Sequence, residues 1–275
     1  MNNLHRILVP VDLSEASAGA VKYAAALGAG EVHLLRVLAP RPLDFAMIEP
    51  VAADPRRVDR ALGALVDFRD RIGARADFRL RVAEGEAAPE IIRYAEENHM
   101  DAVVMPTRGR NRIERLLLVG SVTMKVLHAL KQPVITGAEF EDHLPPESLR
   151  RVLCAVDLGP ASERVLCAAL QASRRFNAPL SVVHAQTAEI YEESWRETVR
   201  DRALRKLEEL AAKLGVQADL HVELEEAPRA VSGLALQLGA DLVVLGRGAS
   251  DDLIGRLRAH AYEIVRLCHC PVVSV

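Results

Sequence analysis

The chain has 275 residues, half of them hydrophobic and 27% charged. Such a chain builds a real core and is no disordered type; its length is that of one large domain or two small ones. The formal net charge of −3 argues against a nucleic-acid binder, which shows a strongly basic face, and no apolar run approaches the ~18–20 residues of a membrane span.

The first predicted element is a strand near Arg6–Val11, a continuous apolar run of the kind buried on both faces. Ser14 is a suitable N-cap for the following helix, whose buried stripe reads Ala16, Ala20, Ala24 and Leu27. A second strand follows near Val32–Leu38. Beyond a proline-rich loop comes a helix expected to bury Val58, Leu62, Leu65 and Ile72. The third strand alternates, with Phe78, Leu80 and Val82 against Arg79 and Arg81, which marks a half-exposed edge. A third helix starts after Pro89, where proline is tolerated in a first turn. A strand at Ala102–Met105, a helix at about Ser121–Leu130 and a strand at Val134–Thr136 complete the series.

The series then recurs. Arg6-Ile7-Leu8-Val9-Pro10-Val11-Asp12-Leu13 returns as Arg151-Val152-Leu153-Cys154-Ala155-Val156-Asp157-Leu158, and Ala16-Ser17 as Ala161-Ser162. Asp101-Ala102-Val103-Val104-Met105 returns as Asp241-Leu242-Val243-Val244-Leu245, and Gln132-Pro133-Val134 as Cys270-Pro271-Val272. Matched blocks in the same order indicate a duplication. The predicted division is a first domain over 1–138, a linker over 139–150 with Pro145-Pro146, and a second domain over 151–275. Strands alternating with helices imply right-handed crossovers and parallel sheets. The fold class is therefore α/β, as two tandem, doubly wound, five-stranded parallel sheets of Rossmann-like type. A ligand in such a sheet sits at the carboxyl ends of the strands where their order reverses. The ends of strands one and four, carrying Asp12 and Met105–Arg110, are the expected mouth.

Three blocks resemble the universal stress protein family: Ile7–Ser17, Asp101–Arg110 running into Arg115–Val122, and the closing Gln132-Pro133-Val134. The resemblance covers both halves. It implies an adenine-nucleotide α-hydrolase-like fold and a non-catalytic, cytoplasmic stress-response protein with unidentified protein partners. It also implies pairing of Val134–Thr136 with Val272–Val275 to close a pseudo-dimer, and the family's pairing habit leaves a homodimer of the tandem chain open. ATP-binding members carry Gly-x2-Gly-x9-Gly-(Ser/Thr) between strand four and helix four, where glycines let the backbone approach phosphates and a helix N-terminus favours them. Carried over, the first half offers Pro10, Val11 and Asp12 at the end of strand one and Val37 as the strand-two contact. Met105, Gly109, Arg110, Gly120, Ser121 and Val122 fall on the loop and helix start. The implied cofactor is ATP, with Mg²⁺ when bound, in the first half.

Two departures stand against that cradle. Pro106 occupies the place of the first glycine and has no N–H to donate. Ten residues rather than nine separate Gly109 from Gly120. The second half departs further: Gly246 remains, Ala249 replaces the second glycine, the Gly-Ser pair is gone, and Asp251 and Asp252 repel phosphate. That half reads as degenerate, chiefly structural or regulatory. Bland readings accompany the sharp ones. Asp12 and Asp157 also fit turn or capping aspartates. Cys268-His269-Cys270 lacks zinc-site spacing and fits small apolar fillers beside the last strand. His184 fits a rim residue, and His260 fits either a surface group or the second mouth. Two rivals to a nucleotide-responsive protein remain: a scaffold that binds no nucleotide, and a slow ATPase using Asp12 and Glu114.

Overall fold

A computed structural model of the chain describes residues 4–40, 56–107, 119–138, 140, 149–187, 193–247 and 256–275. In the first half the elements are β1 (Arg6–Pro10), α1 (Glu15–Ala26), β2 (Glu31–Leu38), α2 (Arg56–Ile72), β3 (Phe78–Glu84), α3 (Ala87–Glu97), β4 (Ala102–Pro106), α4 (Ser121–Ala129) and β5 (Val134–Gly137). The second half repeats them as β6 (Val152–Ala155), α5 (Ser162–Phe176), β7 (Leu180–Ala185), α6 (Glu193–Lys213), β8 (Asp219–Glu223), α7 (Ala227–Leu238), β9 (Leu242–Leu245), α8 (Arg256–Leu267) and β10 (Val272–Ser274).

The two five-stranded sheets join into one of ten strands, in the order β3-β2-β1-β4-β5-β10-β9-β6-β7-β8. Pairing is parallel within each half. At the centre β5 and β10 run antiparallel, with Thr136, Ile135 and Val134 opposite Val272, Val273 and Ser274. The central strands carry unbroken apolar runs because both sheet faces are covered. On one face Ile7, Val9, Val104, Ile135, Val273, Val244 and Cys154 belong to one core that spans both halves. On the other, Leu8, Val103 and Val134 pack with α3 and α4, while Leu153, Val243 and Val272 pack with α7 and α8.

The outermost strands are β3 and β8. Phe78, Leu80 and Val82 turn toward the core while Arg79 and Arg81 stay exposed. The alternation expected of an edge strand is therefore present, and charges on such an edge oppose further pairing.

Two helix readings need correction. In α2 the buried residues are Ala61, Leu65 and Phe68, with Ile72 packed at the margin. Val58 and Leu62 are 40% and 39% exposed. At 3.6 residues per turn, Leu62 lies about 100° around the helix from Ala61, so both cannot face the sheet. In α1, Ala20, Ala24 and Leu27 are buried while Ala16 is only half-buried in the first turn. The third helix also starts earlier than expected, at Ala87, which places Pro89 inside the first turn.

The repeated aspartates have structural tasks. The Oδ2 atom of Asp101 accepts from the backbone N–H groups of His5 at 2.7 Å and Arg6 at 2.8 Å. Asp241 does the same for Arg150 and Arg151, at 2.8 and 3.1 Å. Each ties the start of the first strand of its half to the start of the fourth.

Candidate functional site

The strand order reverses between β1 and β4 in the first half and between β6 and β9 in the second. Doubly wound sheets hold ligands at the carboxyl ends of the strands on either side of such a reversal. In both, the chain leaves the first strand through the same strained turn. Leu13 has φ 65° and Leu158 has φ 59°, the left-handed region that a branched apolar residue rarely adopts. The turn is held by the preceding aspartate. Oδ1 of Asp12 accepts from the N–H of Ser14 at 3.0 Å, from Ser14 Oγ at 2.5 Å and from Ser17 Oγ at 3.0 Å. Oδ1 of Asp157 accepts from Gly159 N–H at 2.8 Å and Ser162 Oγ at 2.9 Å. The recurrence of Ala-Ser five residues after each aspartate was the sequence signal of this pairing. Ser14 then caps α1 through the N–H of Ser17. The turn alternative for Asp12 and Asp157 thus describes the geometry of their Oδ1 atoms.

In the first half, β4 and α4 are pinched together. Thr107 N–H donates to Gly137 O at 2.9 Å, and Gly120 N–H donates to Thr107 O at 2.7 Å. Thr123 Oγ1 donates to Pro106 O at 3.1 Å. Gly120 is therefore the N-cap of α4 and spends its own N–H inside the protein. Among the described residues no side chain caps that helix, and the N–H groups of its first turn, from Ser121 onward, are those a helix does not satisfy internally. They border a cavity of about 280 Å³ lined by Val37, Gly85, Ala87, Ser121, Val122 and Lys125, among others. The start of α3 reaches the same cavity through its N-cap Glu86, again without a side-chain cap.

The expected site residues divide accordingly. Val37, Ser121 and Val122 meet at the cavity, with Gly120 immediately behind them. Val11 and Met105 are buried on opposite faces of the sheet, in the cores under α1 and under α3 and α4 respectively. Pro10 ends β1 half-buried. Gly109 and Arg110 lie outside the described residues, as do Glu114, Ala249, Asp251 and Asp252. Lys125, one turn into α4, is a cation at the cavity that the loop-centred reading missed. Its i, i+4 relation to Ser121 was the available signal.

The second half holds a cavity of about 310 Å³ at its own switch point, although its loop reads as degenerate. Its walls are apolar, from Val156, Val165, Val183, Val231 and Ile264, and its polar groups are Asp157, His184, Thr187 and His260. The rim reading of His184 is corrected: the residue is 8% exposed, and its Nδ1 lies 3.0 Å from the carbonyl of Val156. A carbonyl only accepts, so Nδ1 carries the proton. Gly246 lines the cavity, yet the next residue turns away. The Arg247 guanidinium donates to the carbonyls of Leu127 at 3.4 Å, Lys131 at 3.2 Å, Gln132 at 2.6 Å and also Leu130, all at the carboxyl end of α4 in the other half. Burial lowers its pKa to about 10.

Cys154, Cys268 and Cys270 are buried free thiols, and Cys167 is half-buried. Burial pushes the Cys270 thiol up to about 12, which suits inert fillers. Among the described residues no group of three or more His, Cys, Asp and Glu side chains is placed to hold a metal ion, and no helix is long and apolar enough to cross a membrane.

Comparison with known proteins accords with this geometry. A universal stress protein of Synechocystis sp. is 33% identical over 100 residues, 36% of this chain and 33% of that protein, so the match spans a third of the relative's length. One of Methanocaldococcus jannaschii is 27% identical over 144 residues, 49% of this chain and 82% of that protein. Among solved structures, a universal stress protein from Archaeoglobus fulgidus superposes with a TM-score of 0.71 at 22% identity, covering 99% of this chain and 96% of that one. A universal stress protein structure from Pseudomonas aeruginosa UCBPP-PA14 gives 0.66 at 18%, covering 99% and 93%. At these identities the superpositions speak for the fold alone. The universal stress protein family model matches residues 3–136 and again residues 148–275: the chain belongs to the universal stress protein family, with two family domains in tandem.

Proposed function

We propose that this protein is a non-catalytic stress-response protein that holds an adenine nucleotide in its first half and passes the occupancy of that site to protein partners. One observation carries the reading: two helix N-termini, those of α3 and α4, with no side-chain cap among the described residues, converge on one cavity beside Lys125. Free N–H groups and aligned helix dipoles favour a phosphate there, and Lys125 offsets Glu86. Val37 supplies an apolar contact for a base. ATP is the favoured ligand, with Mg²⁺ bound mainly by the phosphates. Hydrolysis would need a carboxylate free to hold metal or orient water, whereas Asp12 is engaged by Ser14 and Ser17. The four free thiols suit a reducing compartment such as the cytoplasm.

The test is thermal unfolding of chelator-washed protein with and without millimolar ATP and Mg²⁺. A ligand confined to the native state stabilises by ~2.7 kcal/mol at a hundred times its dissociation constant. The midpoint should rise in the wild type and stay put in Lys125→Glu, an exposed position where charge reversal leaves the fold intact. The consumption of the Gly120 N–H by Thr107 favours a second reading, a scaffold that binds no nucleotide. A wild-type midpoint indifferent to ATP would establish that scaffold and reject the sensor.

A further inference from the structure

A cavity of about 420 Å³ lies at the end of the sheet away from the switch points, where β1, β2 and β3 begin and α3 ends. None of the residues carried to the nucleotide site lines it. Its floor is the α3 side of two strands, with Glu31 and His33 on β2 and Arg79 and Arg81 on β3. Arg79 stands opposite His33 in the register, and Arg81 opposite Leu35. The facing wall is the carboxyl end of α3, with Glu97 and Asn98. Protection of a sheet edge accounts for two exposed arginines, but not for the charged groups arranged beneath and across from them. By the same registers the second half has Ser181, Asp219 and His221 in the places of His33, Arg79 and Arg81. The arrangement therefore belongs to the first half and not to the duplicated fold.

The floor is held in place from below. His33 is 7% exposed; its Nδ1 lies 2.8 Å from the Tyr94 hydroxyl and its Nε2 3.2 Å from Oε2 of Glu31. Glu31 also accepts from Arg79 at 3.1 Å and faces Arg6 at 3.8 Å. Hydrogen bonds from His33 and Arg79 keep its carboxyl below the usual carboxylate range. Arg79 has a second partner in Asp77 at 3.0 Å. Arg81 differs. It donates to the Leu80 carbonyl at 3.0 Å and bonds the Tyr94 hydroxyl, yet among the described residues it forms no ion pair. The α3 wall has the opposite sign. The last turn of that helix contains no basic residue, and a helix carboxyl end is the negative pole of its dipole. Glu97, paired with Arg93 at 2.6 Å, adds a carboxylate that is 56% exposed. Arg6 reaches this end through the Asn98 carbonyl at 3.3 Å.

A ligand of one charge meets its own sign on one of these walls. A zwitterion matches both, and a guanidinium without a carboxylate partner is a fork for one planar carboxylate. We propose that the cavity is a site for a free α-amino acid, with its carboxylate on Arg81 and its ammonium facing Glu97 at the end of α3. The volume is within the range of small-molecule sites, and the site stands apart from the nucleotide reading.

The experiment screens the full chain by thermal unfolding against the standard amino acids, one at a time at millimolar concentration. The amino acid with the largest shift is then titrated calorimetrically beside its N-acetyl and methyl ester forms, which lack the ammonium and the carboxylate charge respectively. The free amino acid should bind saturably and at least tenfold more tightly than either derivative. Arg81→Gln should weaken it at least tenfold, and Arg81→Lys, which keeps the charge without the fork, should recover part of that loss. Glu97→Gln should weaken it about threefold. Both side chains are exposed, so these changes leave the core intact. Lys125→Glu, at the other cavity, should leave the affinity where it is. A midpoint indifferent to every amino acid overturns the proposal, as does a derivative that binds as tightly as its parent or binding untouched by Arg81→Gln. Binding lost in Lys125→Glu overturns it too, by placing the ligand in the nucleotide cavity. None of these outcomes depends on whether ATP shifts the midpoint, so the two readings fail separately.

Discussion

At the residue scale, Asp12 links sequence to site. Its carboxylate closes the turn that sets Leu13 in the left-handed region and aligns Ser14 as the cap of α1. Backbone held in that region is strained and persists only where its surroundings over-determine it; the aspartate and two serines do so here. Asp12→Ala should therefore cost about 1–2 kcal/mol in the absence of any ligand, by loss of the capping network, read as a lower urea midpoint at unchanged slope. A residue acting only on a nucleotide would leave that midpoint alone. The same chemistry recurs at Asp157 with Ser162. The pair of matched Asp and Ser positions was visible in the chain, but the left-handed leucine between them was not: nothing in the composition of Leu13 or Leu158 marks a positive φ. It follows from the geometry of the hydrogen bonds around it.

Among the elements, α4 is the one that both halves use. Its first turn opens on the first cavity, and its last turn is capped by Arg247 from the second half. A guanidinium at a helix carboxyl terminus satisfies carbonyls the helix leaves unpaired and opposes the negative end of its dipole. Arg247→Ala should destabilise the chain by about 2–3 kcal/mol, because buried carbonyls lose their donor, measured by urea unfolding. Arg247→Lys should recover little of it, since a single ammonium cannot reach four carbonyls in the plane of a fork. Helix α2 shows the limit of periodicity. Val58, Leu62, Leu65 and Ile72 make a plausible stripe on paper. The stripe Ala61, Leu65 and Phe68 wins because it leans on β3 at the sheet edge. An edge helix has a narrow contact, and small Ala61 lets the two elements approach.

On the scale of the whole molecule, the antiparallel meeting of β5 and β10 turns two domains into one sheet with a core running through both halves. Removing one half would bare Val134, Ile135 and Thr136, which are fully or almost fully buried. An apolar open edge recruits a partner. Residues 4–138 produced alone should therefore elute as a dimer at micromolar concentration; a monomeric first half would mean that β5 tolerates water. The chain alone settled the duplication, the parallel βαβ order, the charged edge at Arg79 and Arg81, the place of the switch points and the family. All of these live in local periodicity, caps and matched blocks. It also singled out Val37, Ser121 and Val122, which line the first cavity. Only the tertiary structure decided that Val11 and Met105 pack inward, that Lys125 reaches the first cavity, and that a second cavity survives in the half whose loop reads as worn. That cavity is bounded by β6, β7, β9, α5, α7 and α8, segments that lie up to about a hundred residues apart in the chain and meet only when the sheet is assembled. A pattern confined to a dozen residues encodes which way a strand or helix faces. It does not encode the space left where six of them converge, nor that Arg247 turns from its own half to hold the other.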